Sequence, residues 1–358
     1  MLLSELTTMR VGGPATEARS PATEAELVEA TLDAWASGEP WLVIGGGSNL
    51  VVSDEGFDGI VIRTLTRGIE RLPGAGVRIR VQAGEPWDAV VAHAVNSGWA
   101  GIEALSGIPG SSGAAPMQNI GAYGQEVASA LVAIDFLDYR TGTLEHVPAL
   151  ELELGYRASA LKHGREGLVV AIELALAESE LGTVGYPQLA AALGVELGAS
   201  APLAEIRSSV LALRASKGMV LDANDPDSVS CGSFFTNPIV SENFARRLPD
   251  AAPRWPVERE PADLVVPLGE EPAAPRFGQE PNVKLSAAWL IENAGIGKGF
   301  ALPGSRAAIS SKHPLAIVNQ GGATAAEVAE LARFIVARVS SEYGVLLRPE
   351  PVLVGIEL

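Results

Sequence analysis

Apolar positions recur with helical spacing in some stretches of this chain and with strand spacing in others, and glycines mark many of the changes. Thr23 and Glu26 fit a capping box; Leu27, Ala30, Thr31, Ala34 and Trp35 follow at helical spacing until Gly38 stops the run. Trp41–Ile44 reads as a short buried strand that delivers the chain into Gly45-Gly46-Gly47-Ser48-Asn49-Leu50, and Gly59–Arg63 reads as a second strand. From Val77 the period changes to two. Val77, Ile79 and Val81 fall on one face and Arg78, Arg80 and Gln82 on the other, the pattern of a half-buried antiparallel strand. Ala89–Asn96 is predicted helical. Strands are predicted over Val132–Leu137, with a turn at Arg140–Thr143 and a returning strand, and over Leu168–Leu176. A second capping box, Thr324 with Glu327, opens a helix through Val328, Leu331, Ile335 and Val339 to Tyr343-Gly344. The final stretch, Val345–Leu358, reads as extended, with Glu350 between two prolines.

Helix and strand signals therefore alternate without the regular repeat of a doubly wound sheet, so the expected class is α+β. With 358 residues, 47% of them hydrophobic, the chain can build two or three domains with real cores. Mean hydropathy is +0.21. No run of about 18 apolar residues occurs, so no transmembrane helix is expected. Met1–Glu5 lacks a basic region followed by an apolar stretch, which predicts no secretory leader and a cytoplasmic location. A net charge of −17 argues against binding to nucleic acid or an anionic membrane. It leaves small anionic substrates open, because distant charges are screened within about 8–10 Å and a local cationic cluster can prevail. Cys231 is the single cysteine, and His93, His146, His163 and His313 form no ligand-spaced pair, so no disulfide or metal site is expected. Composition shifts near Glu178–Gly182, a candidate boundary. Pro249–Pro281 carries eight prolines and reads as a surface excursion.

Two glycine-rich loops carry the first chemical signal. Gly45 and Gly47 fit the dinucleotide fingerprint but position 50 is leucine, which disfavours a Rossmann site. The loop is either a tight turn or a nest of backbone N–H groups for an anion. Gly107-Ile108-Pro109-Gly110-Ser111-Ser112-Gly113, running on to Gln118-Asn119-Ile120-Gly121-Ala122-Tyr123-Gly124, is the second such loop, long enough to suggest function. Two loops of this kind suggest a diphosphate held between them; the plain alternative is a surface loop. Gly295-Ile296-Gly297-Lys298-Gly299 lacks the spacing of a phosphate-binding lysine loop and reads as a glycine stop after a helix over Trp289–Asn293. Ser233, in Gly232-Ser233-Phe234-Phe235-Thr236-Asn237-Pro238, has no sequence-adjacent base and no nucleophile elbow. Tyr156-Arg157, Lys217 with nearby Arg214, and Glu350 each read alone as ordinary surface groups.

Together with Thr8-Met9-Arg10-Val11-Gly12-Gly13-Pro14, Trp289-Leu290-Ile291-Glu292 and Pro349-Glu350, these segments resemble, in order and over nearly the whole chain, the UDP-N-acetylenolpyruvoylglucosamine reductase family. The resemblance implies a FAD-binding fold of the vanillyl-alcohol oxidase / p-cresol methylhydroxylase type: two α+β subdomains, 1–66 (joined by 345–358) and 67–180, and an α+β substrate-binding domain, 181–344, with the excursion 249–281. It implies non-covalent FAD at Gly45, Gly46, Gly47, Ser48, Asn49, Gly107, Ile108, Pro109, Gly110, Ser112, Gln118, Asn119, Ile120, Gly121 and Ile172. NADPH would reduce the FAD and leave. UDP-N-acetylglucosamine enolpyruvate would then bind in the same cleft, taking hydride from flavin N5 at C3 and a proton at C2.

By the same resemblance Arg157 holds the substrate carboxylate, Glu350 acts with it on the enolate and needs a raised pKa, and Ser233 delivers the proton. Tyr156, Tyr186, Lys217, Asn237, Lys284 and Asn293 match substrate- or nucleotide-binding positions. Asn293 stands where glutamine is more usual, and the excursion is longer than the family pattern. Tyr186-Pro187 suggests the variant whose tyrosine loop closes over the substrate. A monomer is expected. The competing reading is a flavin-dependent sugar or alcohol oxidase of the same fold, which often tethers flavin through His or Cys; neither glycine loop offers one. A non-enzymatic nucleotide-sugar binding module would leave Arg157, Ser233 and Glu350 as unrelated surface residues.

Overall fold

The structure is a computed structural model and describes residues 1–257 and 281–358, so the middle of the proline-rich excursion, 258–280, lies outside the described residues. The first capping box forms. Thr23 Oγ1 accepts from the Glu26 N–H at 3.3 Å while the Glu26 carboxylate accepts from the Thr23 N–H at 3.1 Å. This opens the helix Glu24–Ser37, and Gly38 ends it at φ 74°. Leu27 and Ala34 pack on a three-stranded parallel sheet with Phe57–Arg63 between Ala15–Arg19 and Trp41–Ile44. The expected strand at Trp41 forms, but only Ile44 is fully buried, because this strand lies at the sheet edge.

The second sheet is antiparallel, in the order Leu144–Pro148, Leu131–Asp138, Gly167–Glu178, Val77–Gln82, Ile69–Arg71. Val77, Ile79 and Val81 are buried and Arg78 is exposed, as the alternation predicts. These residues join Trp87, Val90 and Val91 of the helix Trp87–Asn96 in one core, while Leu137, Leu168 and Val170 point the other way, toward the first helix. The sheets are thus joined through a shared helix.

Beyond Glu178 a hairpin, Leu181–Thr183 with Ser200–Pro202, carries the helices Pro187–Leu193 and Leu203–Ala215 over a small core of its own. The largest core follows, around the helices Ala287–Asn293 and Ala325–Tyr343. The second capping box forms at Thr324, and Gly344 closes that helix at φ 67°. Met9, Val11 and Val51 belong to this core, and Asn319 Nδ2 donates to the Met9 carbonyl at 3.0 Å, so the N-terminal segment is anchored in it.

The extended C-terminus positions the site. Val352–Val354 pairs in parallel with Leu50–Val52, the strand that follows the first glycine loop. One step earlier, Pro349 bridges Phe235 and the Glu350 N–H donates to the Phe234 carbonyl at 2.9 Å. Glu350 is therefore held between the first glycine loop and the segment that carries Ser233. Among the described residues, no helix is long and apolar enough to cross a membrane and no group of His, Cys, Asp or Glu is placed to hold a metal.

Candidate active site

The two glycine loops touch. A Cβ on Gly46 would lie 2.7 Å from the Gly110 Cα, and one on Gly45 would lie 2.1 Å from Ser111 Oγ. Only glycine permits that approach. Ser48 Oγ donates across the contact to the Pro109 carbonyl at 2.9 Å. Among the described residues, no group accepts from the backbone N–H of Gly45, Gly46, Gly47, Ser48 or Asn49. Five successive unpaired donors, with Gly47 left-handed at φ 60°, make a nest suited to a phosphate oxygen. A cavity of about 340 Å³ opens beside Gly45 and Gly46, lined also by Thr8, Arg10 and Arg63. The donor set and the space fit the diphosphate of a dinucleotide such as FAD.

On the other side of Asn49, side chains converge on Glu350. Arg157 Nε donates to Glu350 Oε1 at 3.0 Å, and Gln118 Nε2 donates to the same oxygen at 3.2 Å. Arg157 adopts a left-handed φ of 53°, and its Nη2 donates to the Gly121 carbonyl at 2.9 Å, so the guanidinium is held from two sides. Burial pushes the Glu350 carboxyl up, and Arg157, Lys162 and Gln118 pull against it without cancelling the rise. Burial also pushes the neighbouring Cys231 thiol up to about 12, with Glu350 adding to the effect, so this cysteine stays protonated and is no nucleophile. Ser233 follows Gly232 at φ 78°, and its hydroxyl has no protein partner among the described residues. The Lys284 ammonium lies 4.7 Å from the Tyr156 ring centroid, and Asn237 Oδ1 accepts from the Ala287 N–H at 2.9 Å. A second cavity, about 380 Å³, is lined by Gly121, Tyr123, Gln125, Tyr156, Arg157 and Lys284.

A cationic corner adjoins it. Tyr186 packs edge-on against Tyr123 at 5.6 Å; Lys217 Nζ lies 5.5 Å from the Tyr123 ring and donates to Gln188 at 2.8 Å. Burial, then Arg214, holds the Lys217 ammonium below its ordinary value. Burial holds His313 down at about 4, with Lys217, Lys298 and Arg214 contributing, so its imidazole is neutral at pH 7. Arg214 Nη2 donates to the Met219 carbonyl at 2.9 Å, while its buried Nε has no hydrogen-bond partner among the described residues.

Residues 225–354 match the family described as UDP-N-acetylenolpyruvoylglucosamine reductase, C-terminal domain, and residues 18–148 match a FAD binding domain. The UDP-N-acetylenolpyruvoylglucosamine reductase of Leifsonia xyli subsp. xyli is 58% identical over 99% of this chain and 98% of its own. The chain belongs to the UDP-N-acetylenolpyruvoylglucosamine reductase family. The Nocardia farcinica reductase of the same name is 47% identical, over 99% of this chain and 89% of its own. Among solved structures, the UDP-N-acetylenolpyruvylglucosamine reductase of Thermus caldophilus superposes with a TM-score of 0.64 at 28% identity, covering 99% of this chain and 97% of that one. The reductase family and its FAD domain bear out the flavin fold with a substrate-binding domain, and leave the oxidase reading without support.

Within this reductase fold the expected residues separate into groups. Gly45 to Asn49, Pro109, Gly110, Gln118, Gly121, Arg157 and Glu350 are joined by direct contacts. Ser233 and Asn237 lie on the segment paired with Arg348–Glu350. Others are committed to the protein. Ser112 donates to the Glu85 carbonyl, and Asn119 spends its amide on Glu126, Gly155 and the Ala128 N–H. Gly107 gives its N–H to Asp88 at 2.6 Å, while Ile108 and Ile120 pack against the core of the second sheet. Two expected residues stand apart from these contacts. Ile172 is buried between two strands in the sheet core, so its side chain offers a cofactor no surface. Asn293 is exposed and folds back to donate to the Trp289 carbonyl at 2.9 Å, leaving it outside the cluster. Sequence alone does not mark Lys162, Tyr123, Lys298 or His313 as site residues: Tyr123 and Lys298 lie inside glycine-rich motifs, and nothing local distinguishes Lys162 or His313.

Proposed function

We propose that Arg157, Ser233 and Glu350 form the catalytic centre of a flavin-dependent reductase. The reaction is NADPH-dependent reduction of UDP-N-acetylglucosamine enolpyruvate to UDP-N-acetylmuramate, in peptidoglycan precursor synthesis; family membership and the FAD domain support it. The Gly45–Asn49 nest would hold FAD, which would supply the hydride chemistry between NADPH and the enolpyruvyl group. Arg157 presents a guanidinium edge to the substrate carboxylate, where two oxygens match its fork. Glu350, with its carboxyl pushed up by burial, holds a proton against the developing enolate. Ser233 gives the final proton to carbon. Its hydroxyl is a weak acid, but the acceptor is strongly basic. Tyr186, Lys217, Tyr156, Asn237 and Lys284 bind the substrate diphosphate and nucleotide, and the positive charge of Arg214 acting on Lys217 favours an anion there. Residues 1–66 with 345–358, 67–180 and 181–344 form the three working units, in a cytoplasmic monomer.

The observation that carries this reading is the union of Arg157 with Glu350, which arrives on the C-terminal segment clipped beside Ser233. The test is anaerobic. Purified protein is expected to be yellow, to bleach with NADPH and to recover its colour on addition of the enolpyruvyl substrate. Acid precipitation should leave all flavin in the supernatant. Bleaching without recovery would refute the substrate assignment, and flavin retained in the pellet would refute non-covalent binding.

A further inference from the structure

One oxygen of Glu350 takes both side-chain donors. Arg157 Nε and Gln118 Nε2 converge on Oε1 at 3.0 and 3.2 Å, and among the described residues no donor reaches Oε2. An oxygen accepting two hydrogen bonds is the poorer place for a proton, so the acid form carries its proton on Oε2. That arrangement depends on which way the Gln118 amide points. Were it reversed, its own oxygen would face Oε1 and draw the proton there. Two donors prevent the reversal. Asn49 Nδ2 gives a hydrogen bond to Gln118 Oε1 at 3.1 Å, and Lys162 Nζ reaches the same atom at 3.4 Å. An ammonium has no acceptor, so Lys162 can tolerate only the amide oxygen. Lys162 is itself moored, donating to the Arg157 carbonyl at 3.1 Å.

We propose that Lys162 is a positioning residue for the reductive step: by fixing the Gln118 amide it keeps Glu350 Oε1 an acceptor and Oε2 the proton carrier. This rests on the reading of Glu350 as the acid. The titratable and charged groups around Glu350 are Arg157, Lys162, Tyr156 and Cys231. Removing the Lys162 charge takes away one of the groups that lower the Glu350 pKa, so the carboxyl should stay protonated to higher pH. Lys162→Met therefore combines two signs that rarely occur together. The alkaline limb of the second half-reaction moves up in pH, yet its plateau rate falls, because the proton is misdirected.

Rapid mixing on the flavin-loaded enzyme reads both halves. In Lys162→Met, flavin reduction by NADPH should change less than about twofold, while reoxidation by the enolpyruvyl substrate should slow roughly tenfold or more, as expected for one lost charged hydrogen bond. KM for that substrate should hold, and Lys162→Arg, which also only donates, should restore most of the rate. Equal slowing of both half-reactions, or no recovery in Lys162→Arg, would show Lys162 to be structural and overturn the inference. So would an unshifted alkaline limb. Glu350→Gln separates the two layers: if it leaves reoxidation fast, the reading of Glu350 is wrong whatever Lys162 does.

Discussion

At the glycine loops, Gly46 and Gly110 meet with no side chain between them, and the working groups are backbone N–H. At Glu350, side chains from positions 118, 157 and 162 gather around a carboxylate that arrives from position 350. The first region is a shape set by backbone conformation, so its donors carry the same partial charge at every pH. The second is a balance of burial against cations, and each member can be altered singly. Substitutions should therefore damage the two regions differently: changes of shape should cost the cofactor, and changes of charge should cost one half-reaction.

Ser233→Ala and Glu350→Gln should give the largest effects. Loss of a general acid is worth roughly 10²–10⁴-fold, and it should fall on the enolpyruvyl half-reaction alone. Flavin reduction by NADPH should remain near wild type in both. For Glu350→Gln, kcat should drop while KM changes little, the mark of an interaction made in the transition state. Stopped-flow traces showing comparable losses in both halves would erase the contrast between the regions.

Gly47→Ala should do the opposite. Its φ of 60° is left-handed, and a Cβ would sit 1.9 Å from the Leu6 carbonyl oxygen. The conformation alone costs about 1–2 kcal/mol, and relieving the clash must move the loop. The expected result is a colourless, less heat-stable protein with little flavin per chain. Gly297→Ala is the control: no atom lies within 4 Å and its φ is not left-handed, so the variant should stay yellow. A yellow Gly47→Ala enzyme with normal activity would mean the loop is an ordinary turn.

The same division governs what could be read from sequence. The glycine loops, both capping boxes and the alternating strand at Val77 are local patterns, and each appears in the structure where the pattern puts it. The edge position of Trp41–Ile44 is not legible in sequence, because burial depends on whether a strand pairs on each side. Arg157 and Glu350 lie 193 positions apart and meet through the Phe235–Pro349 bridge, which no periodicity encodes. Resemblance to a family supplied those residues; spacing could not. Lys162 escaped even so, since a lone lysine in an irregular loop looks like any solvated cation until Gln118 is placed beside it.

Tyr186→Phe should give a smaller loss. The ring packs on Tyr123, and the hydroxyl has no protein partner among the described residues, so the melting temperature should hold. One hydrogen bond to a charged phosphate is worth about 1.5–3 kcal/mol. KM for the UDP-sugar should rise roughly ten- to hundredfold, with flavin reduction by NADPH little changed. A fall in melting temperature with both substrates equally affected would make Tyr186 a packing residue.

The smallest expected effect is on stability against pH, and it tests the charge balance directly. Burial raises the Glu350 carboxyl in the folded protein, and Arg157 and Lys162 only partly offset it. In the unfolded chain a glutamate titrates near about 4.3. Below that value the carboxyl is protonated in both states and burial exacts no penalty for charge. As pH rises, the unfolded chain releases the proton first, so the folded state holds more protons and loses stability relative to the unfolded one. The loss ends once pH passes the raised folded value. Glu350→Gln cannot titrate and removes only this contribution from the pH dependence. The melting temperature of flavin-loaded wild type minus that of flavin-loaded Glu350→Gln, followed from about pH 4 to 8, should therefore decline and then level off. A difference that climbs with pH would mean that Arg157 and Lys162 outweigh burial. Glu350 would then be ionised during turnover and unable to hold a proton against the developing enolate.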